Sequence, residues 1–428
     1  MDYSSFFNKI ELIRKPSALR DLYDGLGVDM SYVLMAGGLP NPAVFPISGI
    51  ELTLSNSTKV KFSDEDMHLA LQYGITTGHP ELIQFIKDLT KRLHDPPTMN
   101  DSNHPGRLQF ATTAGSQDGI FKTLNILLEN GDTIITEENV YPNLLAVVQP
   151  LSVNIASIKT DRYGIVPESL EAYLSQWPKP EDGRPSKGSL KILYCVPNGD
   201  NPTGIRYTTE RKQTIYRLAQ EYNFLILEDD AYYFLEERPF TESFLSMDVD
   251  GRVIRLETFS KTIAPGLRLG YIAAPEPIWK QFKFVSQAST QGSSSLSQFM
   301  MLQLIRKWGV DGYLKHCDKV NEFYAKRRLI CEEIARRHLD GLAEWTAPSG
   351  GMFLWITFTK LEDSLSFIME RLVKKKVLIV AGAAFHVDTS EKSAHARIAF
   401  SMASEETMEK GFKIIAEELR EVLKENGE

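Results

Sequence analysis

At 428 residues and 43% hydrophobic side chains, the chain exceeds what one core usually supports, so two domains are expected. Lys plus Arg number 48 against 56 Asp plus Glu; a net charge of −8 gives no general attraction to nucleic acid and leaves small molecules or copies of the chain as partners. No apolar run approaches a membrane span, no secretory h-region is present, and Cys195, Cys317 and Cys331 have no metal-like spacing, so no metal is expected and reduced thiols in an intracellular compartment are the plain reading.

Residues 1–48 read as an amino-terminal arm. Glu81 to Leu93 follows as an amphipathic helix with Leu82, Ile83, Phe85, Ile86, Leu89 and Leu93 on one face. From Leu108 to Thr258 apolar strands (108–113, 133–136, 153–158, 192–196, 224–227, 253–257) alternate with helical patterns that include 117–128 and 209–222. That alternation predicts an α/β fold with a mostly parallel central sheet covered by helices on both faces. An antiparallel strand is expected at 269–273, and a surface loop at 174–189, where Pro178, Pro180, Gly183, Pro185 and Gly188 fall. A long helical stretch over 296–338 leads to a smaller α/β carboxyl-terminal domain. Its strands are expected at 352–358, 377–380 and 397–400, closed by a helix from about Glu405 that buries Met408, Phe412, Ile415, Leu419 and Val422. The expected division is an arm or lid at 1–48, a large domain at 49–310 and a small domain at 311–428.

The chemistry concentrates at strand ends. Thr258-Phe259-Ser260-Lys261, followed by Arg268 in a Pro265-Gly266-Leu267-Arg268-Leu269-Gly270 turn, sets one amine beside a phosphate-sized cluster of donors. An ordinary lysine is protonated near neutral pH; to capture an aldehyde it needs partial desolvation or nearby positive charge, and Arg268 supplies charge while gripping a phosphate with its planar fork. The run Ile192 to Val196 delivers Asn198-Gly199-Asp200-Asn201-Pro202-Thr203-Gly204 to a strand's carboxyl end, the edge where ligands gather in open α/β sheets. Phe224 to Leu227 delivers Glu228-Asp229-Asp230-Ala231-Tyr232 to the same edge if the two strands are parallel. A carboxylate there is costly unless paired, and a protonated pyridine nitrogen would pair Asp229. Gly115-Ser116-Gln117 opens a helix after a strand, so free backbone amides can face a phosphate. Arg397 lies in the apolar run Ala396 to Phe400, a setting that favours a partner such as a substrate α-carboxylate.

Taken in order, Asn201-Pro202-Thr203-Gly204, Asp229 with Tyr232, Ser260-Lys261 with Arg268, and Arg397 resemble the signature of class I, fold-type-I pyridoxal-phosphate aminotransferases. Lys15-Pro16-Ser17-Ala18-Leu19-Arg20, Ala36-Gly37-Gly38-Leu39-Pro40-Asn41-Pro42, Phe244 to Arg252 and Gly351-Met352-Phe353-Leu354-Trp355 resemble in particular the kynurenine/2-aminoadipate aminotransferases of animals. The resemblance implies pyridoxal 5′-phosphate on Lys261, with its phosphate held by Ser116, Gln117, Ser260 and Arg268. It implies Tyr141 stacked on the pyridine, Asn201 and Tyr232 on the phenolic oxygen, and Asp229 at the ring nitrogen; Lys261, Asp229 and Tyr232 are the catalytic set. Tyr73 would reach the neighbouring subunit's phosphate, which implies a homodimer. Arg397 and Asn201 would bind the α-carboxylate, while Arg20, Gly38 and Leu39 would recognise the side chain. Thr258 stands where a close relative has serine.

The implied activity is ping-pong transfer of the amino group of kynurenine, 2-aminoadipate or related aromatic amino acids or methionine to 2-oxoglutarate. The same apparatus supports β-elimination, and an aminotransferase-like effector sensor of a transcription regulator is an alternative of another class. Against the sensor, the first 48 residues are too short and insufficiently basic for a DNA-binding module. Animal relatives point to the mitochondrial matrix, whereas the amino terminus shows no clear import segment, so the cytoplasm stays open.

Overall fold

The computed structural model describes residues 1–26, 38–179, 190–425 and 427. Ala36 and Gly37 of the expected lid, and residues 180–189 of the expected loop, lie outside that set. Seven strands, β1 (Leu108–Thr113), β2 (Thr133–Glu137), β3 (Asn154–Ile158), β4 (Leu190–Cys195), β5 (Leu225–Asp229), β6 (Val253–Thr258) and β7 (Gly270–Pro275), form one sheet in the order β1-β7-β6-β5-β4-β2-β3. All neighbours run parallel except β7, which is antiparallel to both β6 and β1. The apolar runs suit a sheet buried on two sides: every residue of β2, β4, β5, β6 and β7 is buried.

Alternation along those strands sorts their side chains into two cores. Ile135, Leu193, Cys195, Ile226 and Tyr271 pack on one face with Leu82, Phe85, Ile86 and Leu89 of α1 (Pro80–Leu93). Ile134, Ile192, Tyr194, Leu225, Leu227, Ile254 and Leu256 face the other way. They meet α2 (Ser116–Leu127), α3 (Pro142–Val148) and Ile278 and Phe282 of α5 (Glu276–Ala288), whereas α4 (Thr209–Tyr222) sits on the first face. Each fully buried aliphatic side chain stabilises the fold by about 1.5–3 kcal/mol.

A third core lies under a four-stranded sheet of β8 (Ala343–Trp345), β9 (Phe353–Phe358), β11 (His395–Ala399) and β10 (Val380–Ala381). The helix α6 (Ser295–Leu339) joins the two sheets: its Phe299, Leu302 and Ile305 belong to the first core, and its Cys331, Ile334 and Leu339 to the third. The expected single helix is interrupted at Gly309, whose φ of 57° and ψ of −170° are non-helical. The expected strand at 377–380 is confined to Val380–Ala381, because Val377 instead closes the preceding turn by donating to the Leu372 carbonyl. Closing the molecule, α7 (Glu405–Glu425) buries Met408, Phe412, Ile415 and Leu419 as expected, with Leu423 in place of Val422.

The periodicity of β5 and β6 hides a charged interior. Arg255, 1% exposed, lies 2.9 Å from Glu228, 2.7 Å from Asp230 and 2.7 Å from Glu257. Burial pushes Glu257 up, but Arg255 and His94 outweigh it and hold that carboxyl at about 2. The Tyr271 hydroxyl donates to Glu257 at 2.7 Å. Among the described residues, no helix is long and apolar enough to cross a membrane.

Candidate active site

The parallel pairing of β4 with β5 and of β5 with β6 brings their carboxyl ends to one edge, and the antiparallel β7 begins at that same edge. Gly270 is in register with Thr258 on one side and Thr113 on the other. A Cβ at Gly270 would sit 2.5 Å from the Glu257 carbonyl oxygen, so glycine is what lets Arg268 and Lys261 converge with the start of α2. Gly115 caps α2 with φ 83°, and a Cβ there would lie 2.6 Å from Arg268 Nη2. No side chain caps α2, so the amides of its first turn, in Ser116 and Gln117, remain available to an anion. Thr258 Oγ1 and Ser260 Oγ are 2.8 Å apart, adding two hydroxyls beside Lys261. Arg268 is exposed and holds the Pro265 and Ala114 carbonyls with its two terminal nitrogens.

Lys261 Nζ stands 5.4 Å from the centroid of the Tyr232 ring. Burial lowers the pKa of this amine; Arg268 and Arg397 add to the effect, and Asp229 opposes it. Asp229 is the last residue of β5 and is 4% exposed. Burial raises its carboxyl to about 7, against the pull of a hydrogen bond from Tyr194 and the charges of Lys261 and Arg255. Its Oδ1 is buried with no hydrogen-bond partner among the described residues. Tyr141, at the start of α3, is near enough to Asp229 that the carboxylate helps burial raise its phenol, and Asn143 donates to its oxygen at 2.8 Å. Gln117 Oε1 is a second buried atom without a partner.

From the other sheet, Arg397 on β11 crosses the cleft and donates from Nη1 to Asn201 Oδ1 at 2.7 Å. Its guanidinium carbon lies 4.2 Å from the Phe353 ring centroid and 5.2 Å from that of Phe385. Nε is buried without an acceptor, and no carboxylate pairs with Arg397 among the described residues. Burial lowers its pKa, the cost of a cation left without a counter-ion.

Other expected site residues lie elsewhere in the chain. Arg20 is buried and donates to the Gly74 carbonyl at 2.7 Å, the Gln291 carbonyl at 3.1 Å and Thr76 Oγ1 at 3.3 Å. Together with Tyr73, which is 56% exposed, it lines a separate cleft of about 480 Å³ that includes none of Lys261, Asp229 and Arg397. Gly38 is exposed and Leu39 half-buried. All three Arg20 bonds come from Nη2, and its Nε is buried without a partner among the described residues, so part of the expected side-chain clamp is still unspent.

The orphaned acid, the depressed amine and the uncapped helix start with Arg268 behind it fit a phosphorylated pyridine aldehyde. The sequence family described as aminotransferase class I and II matches residues 51–415. The chain belongs to the class I and II aminotransferases. Its cofactor is pyridoxal 5′-phosphate. The aminotransferase is 41% identical to the mouse protein "Kynurenine/alpha-aminoadipate aminotransferase, mitochondrial", over 99% of this chain and all of that one. The aminotransferase Aro8 of Candida albicans superposes with a TM-score of 0.86 at 25% identity, covering 98% of both chains. A kynurenine aminotransferase of Pyrococcus horikoshii, solved with PMP and KYN as substrates and KYA as products, does so at 0.75 and 28% identity, covering 99% of this chain and 98% of its own.

Sequence reasoning missed Tyr194, whose hydroxyl donates to Asp229 Oδ2 at 2.8 Å. A signal was present. Alternation on parallel strands puts 194 and 229 on one face, and a tyrosine in an apolar strand needs a partner for its hydroxyl. Phe353 and Phe385, which flank Arg397, carried no signal of that contact.

Proposed function

We propose that this aminotransferase moves the amino group of kynurenine, 2-aminoadipate or related aromatic amino acids and methionine to 2-oxoglutarate, in two alternating half-reactions. The observation that carries the reading is Arg397: a half-buried guanidinium flanked by two aromatic rings, whose buried Nε has no acceptor, across the cleft from the lysine edge. An α-carboxylate is the anion it lacks. The mouse relative's name supports the donor class. No observation favours elimination or effector sensing over transfer.

When bound, pyridoxal 5′-phosphate supplies an aldehyde carbon and a ring that accepts electrons. The chain's residues do the rest. Ser116, Gln117, Ser260 and Arg268 would hold the phosphate. Tyr141 would cover the ring, and Asn201 and Tyr232 would hydrogen-bond its phenolic oxygen. Asp229 would keep a proton on the ring nitrogen through Oδ1. Lys261 Nζ, whose pKa is lowered chiefly by burial, would anchor the cofactor through its aldehyde and, once free, would be the base that takes the proton from the donor's Cα. Arg397 with Asn201 grips the α-carboxylate so that this Cα faces Nζ.

The working unit we infer is a homodimer. Ile10, Ile13, Leu19 and Val44 of the arm are 64%, 78%, 57% and 77% exposed, and Tyr73 is 56% exposed, apolar surface that one chain leaves uncovered. The arm at 1–48, large domain at 49–310 and small domain at 311–428 belong to the same reading, as does a mitochondrial site, which the mouse relative's name supports over the cytoplasmic alternative. A panel of amino donors with 2-oxoglutarate tests the substrate class: kynurenine and 2-aminoadipate are the expected donors, and inactivity with both refutes it. Lys261→Ala is expected to lose turnover altogether.

A further inference from the structure

We propose that Tyr194 is a positioning residue for Asp229: its hydroxyl occupies Oδ2, fixes the carboxylate plane with Oδ1 turned to the cofactor, and keeps the shared proton on the ring nitrogen. The inference rests on the reading above that Asp229 meets that nitrogen.

The geometry is set by the sheet. On β4, Tyr194 is in register with Leu227 of β5, and Asp229 lies two residues further along the same face. The phenol therefore reaches diagonally across the strand pair to the carboxylate, and the two oxygens meet at 2.8 Å. Among the described residues no other side chain hydrogen-bonds Asp229, so of its two oxygens one is taken and one is vacant. Both partners are buried, at 1% and 4% exposure, which leaves water little access to compete. Burial first, then the neighbouring charge of Asp229, pushes the Tyr194 phenol well above its ordinary value; it stays protonated at any working pH and can only donate to an ionised Asp229.

Two consequences follow for the bound cofactor. A carboxylate held by one oxygen does not rotate, so Oδ1 is preset rather than found. A donor on Oδ2 also drains electron density from the carboxylate, making it the weaker base of the pair it forms with the pyridine. The proton between them then rests on nitrogen rather than on Oδ1. Removing the donor shifts it toward oxygen and weakens the ring as an electron acceptor.

The test is Tyr194→Phe, which keeps the ring and its packing, with holoenzyme carrying ¹⁵N at the pyridine nitrogen and read by NMR. The wild-type resonance is expected in the protonated range. In the variant it should move toward neutral pyridine, with kcat down by about 10- to 100-fold, the weight of one hydrogen bond to a charged group, and KM for the amino donor little changed. A wild-type resonance in the neutral range overturns the Asp229 reading itself. A protonated wild type with an unmoved resonance and an unmoved kcat in Tyr194→Phe overturns the Tyr194 proposal alone. Should the phenylalanine variant fail to hold cofactor, 3-fluorotyrosine at 194 decides: a more acidic phenol of nearly the same shape must raise the pH at which the resonance moves from the protonated to the neutral range, and an unchanged midpoint refutes the proposal.

Discussion

Arg397→Ala separates substrate grip from every other role in the site. One nitrogen of the guanidinium is engaged by Asn201 Oδ1 at 2.7 Å, and Nε is buried and unused, so an incoming carboxylate can take two charge-assisted hydrogen bonds from the remaining fork. At about 1.5–3 kcal/mol each, and allowing for overlap, the lost grip is about 3–5 kcal/mol, or roughly two to three and a half powers of ten in kcat/KM. The loss has to depend on the carboxylate. Single-turnover rates of the variant holoenzyme are to be compared for an amino acid and for its decarboxylated amine, followed by the cofactor's absorbance. The amino acid should react 10²-fold or more below wild type, and the amine at close to the wild-type rate. Equal losses for both would refute the assignment and make Arg397 a structural residue wedged between Phe353 and Phe385. The thermal midpoint should move little, because the packing lost is offset by removing a half-buried charge that lacks a counter-ion.

Three further outcomes are expected. Gly115→Ala places a Cβ 2.6 Å from Arg268 Nη2 at a φ of 83°; the flexible arginine tip yields, the left-handed backbone costs about 1 kcal/mol, and equilibrium dialysis should show cofactor binding weakened by at least tenfold while the fold survives. In the apoprotein, burial raises Asp229 to about 7 against an unfolded value near 3.8, so the folded state holds the extra proton and loses stability as pH rises between those values; Asp229→Asn should therefore melt higher than wild type at pH 8, with the gap closing toward pH 4. Arg255→Leu strands Glu228, Asp230 and Glu257 without their cation, and urea titration should show a loss of about 3–5 kcal/mol; an unchanged midpoint would mean that those acids are neutral in the native protein.

The sheet was legible because its strands are short apolar runs separated by strong helix patterns; 108–113 and 209–222 are found at the expected bounds, and the 269–273 strand is antiparallel as expected. Strand order was not legible. Nothing local to β7 says that it inserts between β1 and β6, since that is settled by which faces remain to be buried once the parallel strands have paired. Arg255 and Glu257 were passed over inside an apolar run because their mutual neutralisation depends on Glu228 and Asp230 of the next strand. The lysine edge was readable as a set of motifs, each at a strand terminus. The Nη2 contacts of Arg20 with the Gly74 and Gln291 carbonyls were not, because they join segments 54 and 271 residues apart with no motif at either end.

Gly309 and the two sheets have a consequence for how such an enzyme diversifies. Lys261, Asp229 and the start of α2 hang from one scaffold, while Arg397 and its phenylalanine sandwich hang from another, and the rod that joins them loses helical continuity at a single residue. If Arg397 grips the α-carboxylate as proposed, tilting the smaller scaffold would re-aim that clamp without loosening the vitamin-derived reagent. Donor preference would then be free to drift under selection while the reaction stays the same.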